Sequence, residues 1–261
     1  MRIDKTRIRS SFAKASSTYD SVAQLQRTVG KALLSACALN ANPVNTVLDL
    51  GCGTGFLTGA LSRELKPEAL IALDIAFSML QTTRAKVSSE TSLHPVCADA
   101  EHLPFIAHSI DQVFSNLALQ WCRNLEVVFL DLRRVLKPEG KLVFSTFGPQ
   151  TLQELKSAWA CVDNYSHVNS FYDHTQLQQF LRNAGFTDIQ LTRTLYTSYY
   201  PTVKSLMQEL KHLGAQQVLT GRNKTITTKT ALHKMFAAYE HYRVNGQILA
   251  TFEVLSVSAQ A

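Results

Sequence analysis

The chain has 261 residues, 46% of them hydrophobic and 18% charged, with a formal net charge of +6. That balance is ordinary for a globular protein, and the length allows one sizeable buried core with material left for a lid or an insertion. With no run of eighteen apolar residues a transmembrane helix is not expected. The N-terminal MRIDKTRIRSSF lacks the apolar stretch of a secretory signal, and five scattered cysteines without a CxxC pair fit reduced thiols in a cytoplasm better than disulfides or a zinc site.

The first forty or so residues read as amphipathic helix. Strand-length apolar runs follow at 46–50, 70–73, 93–97, 112–115 and 141–146, with helix-period segments at 57–65, 77–87 and 125–136 between them. Pro138-Glu139-Gly140 reads as the turn into the fifth strand. Beyond it the pattern predicts a helix near 150–162, another after Asp173, a strand near 188–195, a helical insertion at 202–242 broken by Gly214 and Gly221, and a final antiparallel strand at 248–257. The alternation of short β-branched strands with helices predicts an α/β, Rossmann-like fold around a mostly parallel, seven-stranded sheet with one antiparallel strand. Without an internal repeat or a low-complexity linker, 1–261 reads as a single domain. Its parts are an N-terminal helical lid (1–42), a core (43–150) and a C-terminal half (151–261) carrying the insertion.

Charge is uneven along the chain. Arg2, Lys5, Arg7, Arg9 and Lys14 face Asp4 alone, and Lys204, Lys211, Arg222, Lys224, Lys229 and Lys234 face Glu209 alone. Two basic segments flanking a core of mixed charge suit either solvated faces or an acidic partner, whether nucleic acid or protein.

The chemistry concentrates in Val47-Leu48-Asp49-Leu50-Gly51-Cys52-Gly53-Thr54-Gly55, where a buried strand enters a glycine-rich turn that opens a helix. Glycines there permit unusual dihedrals and close approach of a ligand. A dinucleotide fingerprint is spaced G-x-G-x-x-G and rests a pyrophosphate on the helix N-terminus. Here the spacing is G-x-G-x-G, and Asp49 just before it repels a pyrophosphate but favours a cation. S-adenosylmethionine (SAM) presents an ammonium and a sulfonium, so the charge favours SAM over NAD. Asp74, followed by Ile75 and nineteen residues beyond Gly55, ends the second strand where an acid accepts from ribose hydroxyls. Asp99-Ala100 after the third strand is placed for an adenine amino group, and Asn116-Leu117 after the fourth lies over the ligand crevice of open α/β sheets.

This pattern resembles the class I SAM-dependent methyltransferases. The resemblance assigns Asp49, Gly51, Gly53 and Gly55 to the methionine end of the cofactor, Asp74 to the ribose, and Asp99 with Ala100 to the adenine. Further segments resemble the malonyl-acyl-carrier-protein O-methyltransferases of biotin synthesis: Phe12-Ala13-Lys14-Ala15-Ser16-Ser17-Thr18-Tyr19-Asp20 with Leu25-Gln26-Arg27, Ser115-Asn116-Leu117-Ala118-Leu119-Gln120-Trp121-Cys122, and Ser145-Thr146-Phe147-Gly148 with Leu152-Gln153-Glu154-Leu155. Leu210-Lys211-His212-Leu213-Gly214-Ala215, Gly221-Arg222 and Ala250-Thr251-Phe252 extend the likeness almost to the C-terminus.

What the resemblance implies is methyl transfer from SAM, leaving S-adenosyl-L-homocysteine, to the free carboxylate of malonyl-phosphopantetheine on an acidic acyl-carrier protein, or of malonyl-CoA, as an early step toward pimelate. A carboxylate is already ionised near neutral pH, so positioning residues rather than a general base are expected. Tyr19, Gln120, Trp121, Lys211 and Arg222 are the candidates, the last two as partners of a carboxylate or phosphate. The eight histidines show no ligand spacing, so no metal is expected. Other readings are a methyltransferase of another small acid or a quinone precursor, an RNA methyltransferase, and a non-catalytic SAM sensor. The basic segments lack the interleaved aromatics of RNA binders, and neither a nucleic-acid nor a membrane partner is expected.

Overall fold

A computed structural model describes residues 5–36, 44–88, 91–215 and 227–261. The N-terminal stretch forms three helices, α1 (Lys5–Ala15), α2 (Tyr19–Val22) and α3 (Gln24–Ala36). The break after α1 has a local cause. The hydroxyls of Ser16 and Thr18 donate to the carbonyls of Ala13 and Ala15 at 3.0 and 3.2 Å, competing with the helical ladder.

The core follows as β1 (Thr46–Leu50), α4 (Phe56–Leu65), β2 (Ala69–Asp74), α5 (Phe77–Lys86), β3 (Leu93–Cys97), β4 (Ile110–Asn116), α6 (Leu125–Val135) and β5 (Leu136–Phe147). The five strands pair in parallel in the order β3-β2-β1-β4-β5. The chain winds outward from β1 to β3 and then returns to the other side of β1. Strand order therefore reverses between β1 and β4, and the crevice beyond their carboxyl ends is where such sheets hold ligands. Val47, Leu48 and Leu50 are wholly buried, as expected of a strand covered on both faces. The side chain of Asn124 caps α6, accepting from the amides of Glu126 and Val127 at 3.0 and 3.4 Å. The helix then buries Leu125, Val128, Phe129, Leu132 and Val135 against the sheet.

Pro138-Glu139-Gly140 lies inside β5 instead of ahead of it. Glu139 takes φ 64°, and the register with β4 shifts between the pairs Ile110–Leu136 and Gln112–Lys141. The expected turn has become an irregularity in a longer strand.

The C-terminal half comprises α7 (Gln153–Ala160), α8 (His174–Asn183), β6 (Thr187–Tyr200), α9 (Val203–His212), α10 (Lys229–Tyr239), β7 (Arg243–Val244) and β8 (Gln247–Gln260). β8 enters between β5 and β6, antiparallel to both. The two-residue β7, which pairs with the start of β8, adds a short eighth strand to the seven expected. Insertion helices α9 and α10 pack with α7 in a second apolar cluster that includes Trp159, Leu206, Met235, Tyr239 and Phe252. As expected, α9 ends before Gly214, which has φ 72°; Gly221 lies outside the described residues. A Cβ on Gly214 would stand 3.1 Å from the Ser11 carbonyl oxygen, and the Thr18 hydroxyl donates to the His212 carbonyl at 3.2 Å. The insertion thus clasps the lid. Among the described residues no helix is long and apolar enough to cross a membrane.

Candidate active site

After β1 the chain folds over the end of β2, the amides of Gly51 and Cys52 donating to the Leu73 carbonyl at 2.8 and 3.0 Å. Gly51, Gly53 and Gly55 take φ values of 74°, 55° and 85°, a region that carries steric strain for any residue with a Cβ. Space adds a second constraint at Gly51, where a Cβ would fall 2.3 Å from the Ala118 Cβ. Gly53 instead borders open space, with nothing within 4 Å of where a Cβ would lie.

Two buried acids flank this loop. Asp49 is 1% exposed and accepts from the Thr58 hydroxyl at 2.6 Å. Burial pushes its carboxyl up to about 7 against that hydrogen bond, with help from the negative Asp74. Asp74 accepts from the amides of Gly53 and Ala76 at 3.0 and 2.8 Å, and burial raises it to about 6. Asp99 lies further along the crevice. One of its oxygens accepts from the Glu101 amide at 3.1 Å and from the Lys5 ammonium of α1 at 2.9 Å, and Lys5 also pairs with Glu101 at 3.0 Å.

The crevice has two connected parts. The main cavity, about 80 Å³, is lined by Tyr19, Gly51, Gly53, Asp74, Ile75, Asp99, Ala100, Leu117 and Trp121 of the expected residues. A side cavity of about 40 Å³ takes in Asp49 and Asn116, and shares Tyr19, Gly51 and Gly53 with the main one. Gly55 is set back at the start of α4. Gln120 lines a different, adjoining cavity and donates to the Leu117 carbonyl at 2.6 Å. Lys211 is exposed near the end of α9 and lines none of the three. Arg222 lies outside the described residues.

The lid closes the crevice. Phe12 stands edge-on to Trp121 with ring centroids 5.4 Å apart. Thr54 donates to Asp20 at 2.6 Å, and Lys86 forms an ion pair with the same carboxylate. Burial and the negative charges of Asp74 and Asp20 hold the Tyr19 phenol well above its usual value, so it stays neutral. The Asn116 amide donates to the Gln26 carbonyl of α3 at 2.9 Å while its oxygen accepts from Ser145 at 2.8 Å. Gln26 lines the side cavity, and its side-chain oxygen is buried without a hydrogen-bond partner. Sequence reasoning did not nominate Lys5, Ile8, Phe12, Met79 or Cys122 for the main cavity, nor Gln26 for the side cavity. Gln26 sits in the Leu25-Gln26-Arg27 segment, a signal that was available. For Lys5 there was none, because its partner Asp99 is 94 residues away.

Among the described residues no group of three or more His, Cys, Asp or Glu side chains is arranged to hold a metal ion.

A family model described as a methyltransferase domain matches residues 48–144. A malonyl-[acyl-carrier protein] O-methyltransferase of Methylovorus sp. is 41% identical, covering 97% of this chain and 88% of its own length. One from Gallionella capsiferriformans is 39% identical, covering 97% and 89%. Among solved structures, Haemonchus contortus phosphoethanolamine N-methyltransferase 2 in complex with S-adenosyl-L-methionine is similar in fold with a TM-score of 0.59 at 17% identity, covering 95% of this chain and 57% of its own.

Proposed function

This chain belongs to the malonyl-[acyl-carrier protein] O-methyltransferase family, and we propose accordingly that it transfers a methyl group from SAM to the free carboxylate of a malonyl thioester. It is a SAM-dependent methyltransferase by family. The observation that carries the acceptor assignment is the reach of the likeness. The domain model stops at residue 144, whereas the relatives align over 97% of the chain, lid and insertion included.

The crevice fits the cofactor's charge and shape. Burial holds Asp49 and Asp74 above the usual carboxylate range, and a sulfonium and an ammonium are cations that favour their ionised forms. Gly53 leaves open the space a Cβ would fill. The orphaned Gln26 oxygen in the side cavity is an acceptor suited to an ammonium. On this reading Asp49, Gly51, Gly53, Gln26 and Asn116 surround the methionine end. Asp74 and Ile75 hold the ribose, Asp99 and Ala100 the adenine, and Leu117 the floor, while Gly55 shapes the turn.

When bound, SAM supplies an electrophilic methyl group. The chain's own residues supply position and dryness. Tyr19, neutral and half-buried, packs over the crevice mouth, and Phe12 against Trp121 excludes water from the same space. An ionised acceptor carboxylate needs no base, so alignment is the main contribution left to the enzyme.

The partner on this reading is an acidic acyl-carrier protein presenting malonyl-phosphopantetheine, with malonyl-CoA as the alternative handle, in the cytoplasm. Lys14, Lys204, Lys211, Lys229 and Lys234 are all exposed, and α9, which carries two of them, touches the lid through the Thr18–His212 hydrogen bond. Such a surface steers an acidic carrier and does so less at high salt. Residues 1–42, 43–150 and 151–261 then act as lid, cofactor core and acceptor half of one catalytic unit.

The test is methyl transfer from labelled SAM, offering malonyl-carrier protein, malonyl-CoA, free malonate and bulk RNA side by side. Ester formation on a malonyl thioester, lost in Asp49→Ala, is the expected result. Label confined to RNA, or absent despite tight SAM binding, would sink the acceptor assignment.

A further inference from the structure

Two cavities of opposite character meet at Cys122, whose buried side chain lines both. The one already described is walled by the acids Asp74 and Asp99. Its neighbour is larger, about 300 Å³, within the range of small-molecule sites. It is lined by Thr146 and Phe147 at the carboxyl end of β5, by Gln120 just beyond β4, and by Asn169, Phe171 and Tyr172 from the segment between α7 and α8. None of the described residues lining it is acidic, and its only ionic side chain is Arg123.

We propose that this second cavity seats the malonyl unit and the thioester end of its carrier arm, with the carboxylate at the Cys122 border and the thioester running outward beneath Asn169–Tyr172. The proposal rests on the malonyl-thioester reading above and adds where that acceptor binds. Charge argues for it first. The cofactor chamber carries the carboxylates and the adjoining one carries none, so an anionic acceptor is repelled from the first and admitted beside it in the second, where methyl transfer needs it. Chemistry argues second. Its neutral polar side chains, Gln120, Thr146 and Asn169 among them, are hydrogen-bonding ones. The Thr146 hydroxyl reaches Gln120 only at 3.4 Å, a weak bond that an acceptor oxygen can displace. The edge-on pair Phe147–Phe171, centroids 5.7 Å apart, offers apolar surface for the methylene and sulfur. Gln120, away from the cofactor cavity, thereby acquires a role in holding the acceptor.

The experiment places a negative charge in the cavity wall. Asn169→Asp is isosteric, and Ser170→Asp puts the same charge at an exposed lining position where folding tolerates it. Each is expected to raise the KM for malonyl-carrier protein about tenfold or more through like-charge repulsion, while calorimetric affinity for S-adenosylhomocysteine stays within about twofold. Asn164→Asp, exposed in the same segment and outside the cavity lining, should leave KM unchanged. Turnover with a KM indifferent to both wall aspartates overturns the cavity assignment alone. Wild-type enzyme that methylates no malonyl thioester overturns the reaction on which it rests.

Discussion

A methyl group on Gly51 would lie 2.3 Å from the Cβ of Ala118, so the cofactor loop and the residue after Leu117 pack as tightly as backbone allows. Gly51→Ala is therefore doubly penalised, by that contact and by its φ of 74°, where a side chain costs roughly 1–2 kcal/mol. We expect it to weaken S-adenosylhomocysteine binding more than about tenfold and to lower the melting temperature. Adding Ala118→Gly should restore the share due to the contact and leave the share due to φ. A double mutant no better than Gly51→Ala would show that backbone strain alone is at work.

The two raised acids predict a pH dependence. Unfolded aspartate titrates near pH ~4, whereas Asp49 and Asp74 sit at about 7 and about 6 in the folded chain. The folded chain thus holds protons that the unfolded chain has released. The stability these groups contribute is fully present below pH ~4 and is lost as pH rises through 6 to 7. A bound cation favours the ionised acids, so cofactor binding should release protons and tighten by about tenfold from pH 6 to pH 8. Titration calorimetry in buffers of different ionisation enthalpy reads both effects, and Asp49→Asn should flatten the profile. A wild-type profile already flat would remove the acids from the binding reaction.

Gln26 offers a cleaner test of the methionine end, because its side-chain oxygen has no protein partner to lose. A hydrogen bond to a charged group is worth about 1.5–3 kcal/mol. Gln26→Leu should accordingly weaken cofactor affinity by about ten- to a hundredfold, with the melting temperature of the ligand-free chain little changed. Unaltered affinity would mean that the ammonium finds its acceptors elsewhere.

Lys5 ties α1 to the crevice through Asp99 and Glu101, with its side chain 18% exposed. Partial exposure holds such a pair to about 1 kcal/mol. Lys5→Ala should speed amide hydrogen exchange across residues 5–15 and weaken cofactor binding about three- to fivefold. The main cavity is narrow with the lid closed, at about 80 Å³, so the same variant should also speed cofactor release. Unchanged exchange in α1 would show that Phe12 and Asp20 hold the lid without it.

What could be read from the sequence and what could not divide along the range of the interaction. The strand-to-turn segment from Val47 to Gly55 is legible because backbone geometry restricts which residues fit, and Asp49 and Asp74 follow from strand ends. Relations across the chain leave no such mark. Lys5 to Asp99, Asn116 to Gln26, and the closure of Gly214 on Ser11 depend on docking of the lid and insertion. Lys211 illustrates the converse. A lysine in a basic helix carries no directional signal, and this one is exposed and lines none of the three cavities. Gln120, expected among the acceptor-positioning residues, lines the neighbouring chamber and not the cofactor cavity, a distinction set by the short helix Leu119–Trp121 that local patterning does not resolve.

The position of β8 also governs how the enzyme comes to exist. Because β8 lies between β5 and β6 and pairs with both, the edges it will cover stay unpaired by it while the ribosome is still making residues 247–260. Such edges invite pairing with other chains. The helices α9 and α10 lack their floor over the same interval, since Ile248, Ala250 and Phe252 of β8 supply it. The cofactor half can therefore take shape early in synthesis, but the acceptor half closes only when the last strand arrives. A nascent chain stalled before residue 247 should gain SAM-binding structure without any capacity to methylate.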